Sequence, residues 1–105
     1  HLGAETMAAY MSTKAGAIGL TRSLARDLGK RGIRANVITP GWILTDRQKA
    51  EHVTDEVVEM LLKEQSVPEL NEPDEVAELA LFLASDASRV ITGQEIIADR
   101  GWRFD

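Results

Sequence analysis

Cysteine is absent from this 105-residue chain, which excludes a disulfide framework and any thiolate metal site. Cytoplasm is then the expected compartment. Histidine is scarce, with only His1 and His52. A metal site needs several convergent ligands, so none is expected, and His52 beside Glu51 reads as a solvated pair. No apolar run approaches the roughly 20 residues of a membrane-spanning helix. His1 to Met7 lacks the basic stretch and apolar core of a signal peptide. Also lacking is an initiator Met, and position 1 already adjoins a helical stretch. The expectation is a chain whose earlier part lies upstream.

Basic charge is in deficit, with 12 Lys and Arg against 17 Asp and Glu for a net charge of −5. Phosphate neutralisation needs a clustered basic surface, so nucleic acid is not an expected partner. The basic residues that do cluster are Arg22, Arg26, Lys30, Arg31 and Arg34. They fall near a helix C-terminus, where cations complement the dipole. No P-loop, zinc spacing, Ser-His-Asp set or internal repeat is visible.

What is present is an ordinary globular composition, 44% hydrophobic and 28% charged, in a length that suits one small domain. Met7 to Leu28 is composed of good helix formers, with Ala17, Leu20, Leu24 and Leu28 at helical spacing. Gly29 and Gly32 stop it. Gly16 and Gly19 lie inside it, and each costs about 1 kcal/mol against Ala. Close approach of another helix or backbone is the expected compensation. Ile33 to Ile38 reads as a buried strand ended by Thr39-Pro40-Gly41.

Arg47 to Val67 is helical in composition but broken at His52-Val53-Thr54, with a new start at Thr54-Asp55-Glu56. Pro73 suits a first helical turn, capped by Asn71 or Glu72 and followed by Asp74 and Glu75. Val76, Leu79, Ala80, Leu83 and Ala84 keep the helical period up to Ser85–Ser88. Gln94 to Ala98 is a second short strand, and Asp99-Arg100-Gly101 turns the chain out. The order helix, strand, helices, strand predicts an α/β fold with a parallel sheet. Two strands are too few for such a sheet. The pattern is that of the C-terminal portion of a doubly wound domain whose N-terminal strands are absent.

Tyr10 and Lys14 are four residues apart, so a helix puts them on one face. A phenol is a poor base at neutral pH, because its ordinary pKa is about 10. A nearby ammonium favours the phenolate. Such a Tyr can pass a proton to or from a substrate oxygen. The bare spacing is equally that of a Tyr and a Lys on an exposed helix face.

The surroundings of this pair resemble a known family. Tyr10-Met11-Ser12-Thr13-Lys14-Ala15-Gly16, running into Leu20 to Ala25, resembles the catalytic helix of the short-chain dehydrogenases/reductases. Gly32 to Gly41 resembles the strand and turn that follow it. Pro73 to Ser88 and Thr92 to Asp99 resemble the family's last helix and last strand. The likeness runs in order through nearly the whole chain, residues 1–105.

This resemblance implies a Rossmann-like fold, a single domain of which the chain is the C-terminal part, and NAD or NADP as cofactor. By the same resemblance Tyr10 is the general acid/base, and Lys14 tunes it and binds the nicotinamide ribose. Pro40 and Gly41 form the turn beside the nicotinamide, and the Ile43 backbone and Thr45 hydroxyl hold the carboxamide. Read alone, Pro40-Gly41 is also an ordinary turn, and Thr45 an ordinary helix cap before Asp46. Trp42 is either a wall of the substrate pocket or packing beneath its own loop. Pro40 to Gln48 and Lys63 to Pro68 are similar to the substrate loop of bacterial sugar 1-dehydrogenases.

The implied partners are a small-molecule substrate and further copies of the subunit, as a dimer or tetramer. The implied reaction is hydride transfer at an alcohol or carbonyl carbon, with a sugar as one substrate class. Reduction of a 3-oxoacyl thioester fits the same pair. A non-catalytic oligomerisation remnant is the third reading. The family's Gly-rich dinucleotide turn is not in the sequence. Its Ser lies about a dozen residues before the Tyr by resemblance, and only nine residues precede Tyr10. Ser12 and Ser23 are wrongly placed to replace it. Where the family has Gly-Gly after the last strand's Asp, this chain has Arg100-Gly101. If that position takes a positive φ, Arg100 is strained there.

Overall fold

The computed structural model describes residues 4–41 and 55–102. Their order is α1 (Ala4–Leu28), a 3-10 turn (Gly29–Arg31), β1 (Val37–Pro40), α2 (Asp55–Glu64), α3 (Pro73–Ala84), a second 3-10 turn (Asp86–Ser88) and β2 (Glu95–Ala98). The strands β1 and β2 pair into a two-stranded sheet. Val37 N–H donates to the Gln94 carbonyl at 2.9 Å and Gly41 N–H to the Ala98 carbonyl at 3.0 Å. Residue numbers rise together along both strands, so the pairing is parallel. None of the described helices is long and apolar enough to cross a membrane.

The described residues form two compact units, one from residues 4–37 with 88–95 and one from residues 38–41 and 55–87 with 96–102. In the first, α1 begins at Ala4, before the expected Met7, because Ala4 and Glu5 are themselves good helix formers. Thr13 and Thr21 fit inside it by donating their hydroxyls to the Ala9 and Ala17 carbonyls at 2.9 and 2.7 Å. Past its end, Gly32 adopts φ 79° and returns its N–H to the Gly29 carbonyl at 3.0 Å, a left-handed stop that glycine takes without a Cβ penalty. Arg26 lies in the last turn of α1, and Lys30 and Arg31 lie in the 3-10 turn.

One expectation for α1 has no counterpart among the described residues. Along the Leu spacing, Leu20 is 61% and Leu24 39% exposed, while Ala25 is buried. A Cβ at Gly16 or Gly19 would meet nothing within 4 Å among the described residues, so neither glycine admits a close neighbour there. The physical reason is common to both, since that side of α1 carries exposed side chains. The close approach occurs elsewhere, at Gly93 (φ 71°), where an added Cβ would lie 3.4 Å from the Ala25 Cβ.

The first strand also starts later than its apolar run suggested, at Val37 instead of Ile33. Before it, one backbone bond runs from Gly93 N–H to the Ala35 carbonyl at 2.7 Å, and side chains take the neighbouring positions. Ala35 N–H donates to Thr92 Oγ1 at 3.2 Å, and Asn36 bridges the Ile91 carbonyl at 3.0 Å and the Gln94 N–H at 3.1 Å. Arg34 donates to the Ser88 and Ile91 carbonyls, both at 3.0 Å, and to Ser88 Oγ at 3.2 Å. Ser88, at 1% exposure, is the most deeply buried side chain described.

In the second unit, α2 carries Asp55 and Glu56 in its first turn and Lys63 in its last, where each charge complements the dipole. Gln65 is buried and closes the following loop, donating from Nε2 to the Val67 and Glu69 carbonyls at 3.0 and 2.7 Å. Pro73 opens α3, as expected, with Glu72 as its N-cap. Glu75 Oε1 accepts the Glu72 N–H at 3.0 Å, satisfying a donor that the helix itself leaves unpaired. Leu83 is buried, Val76 and Leu79 are half-buried, and Leu81 is 72% exposed.

Candidate functional site

Each candidate residue inherits its position from these elements. Tyr10 and Lys14 sit one turn apart on α1, which continues unbroken for 25 residues. Tyr10 is 57% exposed and Lys14 is half-buried. Four residues apart on one helix, the two share a face, and a phenol hydroxyl and an ammonium are both hydrogen-bond donors. Among the described residues, no group of three or more His, Asp or Glu is placed to hold a metal ion.

Pro40 ends β1 and is exposed. It suits that place because it lacks an N–H for the ladder. Gly41 follows it and packs on the turn after β2. A Cβ at Gly41 would lie 2.7 Å from the Asp99 Cβ, 2.9 Å from the Asp99 Cα and 2.9 Å from Asn71 Nδ2. The glycine is therefore required by packing at this position, whatever else its backbone contacts. Trp42, Ile43 and Thr45 lie outside the described residues, as do His52 and the Thr54 cap.

The polar residues that organise the end of β2 carry no local signature. Asp99 is only 4% exposed, and its Oδ1 accepts the N–H groups of Gly101 at 3.0 Å and Trp102 at 3.2 Å. Asn71, considered only as a helix cap, is buried beside Gly41. Arg100 has φ 54°, the positive value anticipated for its place in a Gly-Gly position. A side chain there costs roughly 1–2 kcal/mol. The guanidinium is anchored by Glu75 and by Glu69, the latter at 3.3 Å. The Arg100 hydrogen bond, and then the Glu72 N–H, hold the Glu75 carboxyl below the usual carboxylate range. The same carboxylate raises the Arg100 guanidinium. An open cleft with about 450 Å³ of empty space is lined by Asn71, Glu75, Val76, Ala98 and Arg100.

Comparison with known proteins places this arrangement in the class of Rossmann-type α/β oxidoreductase folds. A 4-hydroxyisoleucine dehydrogenase solved in complex with NADH superposes with a TM-score of 0.78 at 34% identity, over 90% of this chain and 39% of that one. A short-chain type dehydrogenase/reductase from Mycobacterium ulcerans gives a TM-score of 0.81 at 36% identity, over 90% of this chain and 34% of that one. A family model described as enoyl-(acyl carrier protein) reductase matches residues 1–103.

Among curated proteins, D-xylose 1-dehydrogenase of Caulobacter vibrioides is 42% identical over 98% of this chain and 41% of its own length. A probable galactose dehydrogenase of Rhizobium meliloti is 43% identical over 89% of this chain and 36% of its own. A 3-oxoacyl-[acyl-carrier-protein] reductase of Staphylococcus aureus is 40% identical over 95% of this chain and 40% of its own. The chain belongs to the short-chain dehydrogenase/reductase family. It spans about two fifths of the length of the curated relatives it matches.

Proposed function

We propose that the protein is an NAD(P)-dependent oxidoreductase acting on an alcohol or carbonyl carbon, with an aldose as substrate class. The carrying observation is the pairing of Tyr10 and Lys14 one turn apart on α1, in a chain of this family. Tyr10 exchanges the proton of the substrate hydroxyl, and Lys14 is the cation beside it. The donor chemistry of the pair fits a ribose, so Lys14 and Tyr10 hold the nicotinamide end of the dinucleotide. Pro40, Gly41, the Ile43 backbone and Thr45 flank it, and Trp42 lines the substrate side. When bound, the dinucleotide supplies the hydride donor or acceptor. The chain is the C-terminal part of a single dehydrogenase domain, and the intact protein is a homo-oligomer.

Identity to the xylose and galactose dehydrogenases supports the aldose reading. Identity to the 3-oxoacyl reductase supports a thioester as the alternative. The test is turnover of D-xylose, D-galactose and a 3-oxoacyl thioester by the intact protein, with NAD(H) and NADP(H). Sugar oxidation is expected. Thioester reduction alone would transfer the assignment to the alternative, and inertness toward all three would favour the non-catalytic reading. The 105-residue stretch by itself, which contains no Gly-rich dinucleotide turn, is expected to show no turnover in the same assay.

A further inference from the structure

Gly41 is walled by two buried polar side chains. Among the described residues, Asn71 and Asp99 supply the three atoms nearest to the place its side chain would take. A Cβ there would lie 2.9 Å from Asn71 Nδ2, 2.7 Å from the Asp99 Cβ and 2.9 Å from the Asp99 Cα. Asp99 is 4% and Asn71 7% exposed. Glycine loses more conformational freedom on ordering than any other residue. A glycine at the end of a strand therefore keeps one geometry only where its neighbours impose it.

Each wall is fixed from its own side. Asp99 Oδ1 accepts the Gly101 and Trp102 N–H groups, and the Trp102 N–H also reaches the Asp99 carbonyl at 3.2 Å. That closes the turn through side chain and main chain together. Asn71 directly precedes Glu72, the N-cap of α3, whose N–H is held by Glu75 Oε1 at 3.0 Å. Ala98 holds the Gly41 N–H through its carbonyl at 3.0 Å. Asn71 and Ala98 also line the open cleft. Open space beside the turn leaves the Asn71 amide as the contact that limits movement of Gly41 on that side.

We propose that Asn71 is a positioning residue for dinucleotide binding: its buried amide holds Gly41 against Asp99 and so keeps the Pro40–Gly41 backbone in one geometry. The proposal rests on the oxidoreductase reading above, which sets that backbone beside the nicotinamide. A wall that is already ordered binds more tightly than one that must be ordered on binding, because ordering costs free energy at that moment. Removing the amide should therefore weaken the dinucleotide complex and leave the proton-transfer pair on α1 untouched.

The test compares wild type, Asn71→Ala, Asn71→Ser and Gln65→Ala in the intact protein. Gln65 is a second buried amide of the same unit and is not among the nearest neighbours of Gly41. Amide hydrogen exchange is followed at Gly41, and NADH and NADPH affinities are measured by fluorescence titration beside steady-state kinetics. In wild type, Gly41 should exchange as slowly as Val37, whose N–H is also bonded across the sheet. Asn71→Ala is expected to speed Gly41 exchange by about tenfold or more. It should weaken dinucleotide affinity by about tenfold, with kcat at saturating dinucleotide within about threefold of wild type. Asn71→Ser, which keeps a shorter polar side chain, should fall between. Gln65→Ala should lower the unfolding midpoint and leave dinucleotide affinity within about twofold of wild type. Rapid Gly41 exchange in wild type would overturn the proposal, and so would unchanged dinucleotide affinity in Asn71→Ala. An equal loss of affinity in Gln65→Ala would also overturn it, because general destabilisation would then explain both. If wild type binds neither dinucleotide, the oxidoreductase reading fails separately, and Gly41 exchange still decides whether Asn71 holds the turn.

Discussion

Glu75 serves Arg100 with one carboxylate oxygen and the Glu72 N–H with the other, so a single side chain both caps α3 and ties it to the turn after β2. Its carboxyl is held below the usual range, first by the Arg100 hydrogen bond and then by the Glu72 N–H. Because the folded value lies below the unfolded one, the contribution is present above the ordinary Glu pKa. It is lost as pH falls through the lowered value. Glu75→Gln should therefore lower the unfolding midpoint at neutral pH, and the difference from wild type should vanish in acid. The effect is small, since the Glu75 side chain is 47% exposed and solvent screens the pair. A gap between variant and wild type that stayed constant across the acid limb would contradict this account.

Gly41→Ala places a methyl where the Asp99 backbone already lies. A flexible side chain could move aside, but the Asp99 Cα is fixed by the ladder bond from Gly41 N–H to the Ala98 carbonyl. Overpacking of this kind costs roughly 1–3 kcal/mol. Denaturant unfolding of the intact protein measures it, and wild-type stability in Gly41→Ala would show that the turn can shift freely.

Arg34→Met tests the other unit. The guanidinium supplies hydrogen bonds to the Ser88 carbonyl and hydroxyl and to the Ile91 carbonyl, and Ser88 is almost wholly buried. Methionine keeps the aliphatic volume and removes the donors. Hydrogen bonds from a charged donor contribute about 1.5–3 kcal/mol. The Ile91 carbonyl keeps the Asn36 bond and the Ser88 carbonyl keeps the Ile91 N–H at 2.8 Å, so neither carbonyl is left bare and the loss should fall in that range. Arg34→Lys, with one flexible donor group, should lie between methionine and wild type in the same unfolding measurement.

The helices were legible because their signals are local. Pro73 with acids behind it, Asp55 after a Thr, and glycines past Leu28 each act through backbone chemistry within a turn, and α3, α2 and α1 stop or start there. Strand bounds were less legible. Ile33 opens a run that ends in Val37 and Ile38, yet Thr92 and Asn36 side chains take backbone positions that a ladder would use before Val37. Burial was least legible, because it depends on partners distant in sequence. Asn71, Asp99 and Gln65 are buried, whereas Leu20 and Leu81 are exposed. The spacing of Tyr10 and Lys14 could be read directly, since a helix fixes it. Position 100 could also be read, because Arg stands where the family resemblance has Gly. The Glu69 and Glu75 anchors could not, since no local rule connects residues 25 or more apart.

The proton role assigned to Tyr10 predicts a separation of activity from stability. Tyr10→Phe removes one oxygen from a side chain that is already more than half exposed, so unfolding should be unchanged. Loss of a positioned acid/base lowers turnover by about 10²–10⁴-fold, and that range is expected for kcat in the intact protein with the substrate it turns over. Dinucleotide affinity should fall less than in Lys14→Met, because Lys14 keeps the charged donor assigned to the ribose. Lys14→Met should weaken dinucleotide affinity as well, since the ammonium is the group assigned to the ribose. Fluorescence titration with NADH or NADPH, run beside the kinetics, distinguishes the two variants. Full activity in Tyr10→Phe would remove the phenol from the mechanism, and equal dinucleotide affinity in Lys14→Met would remove the ribose contact.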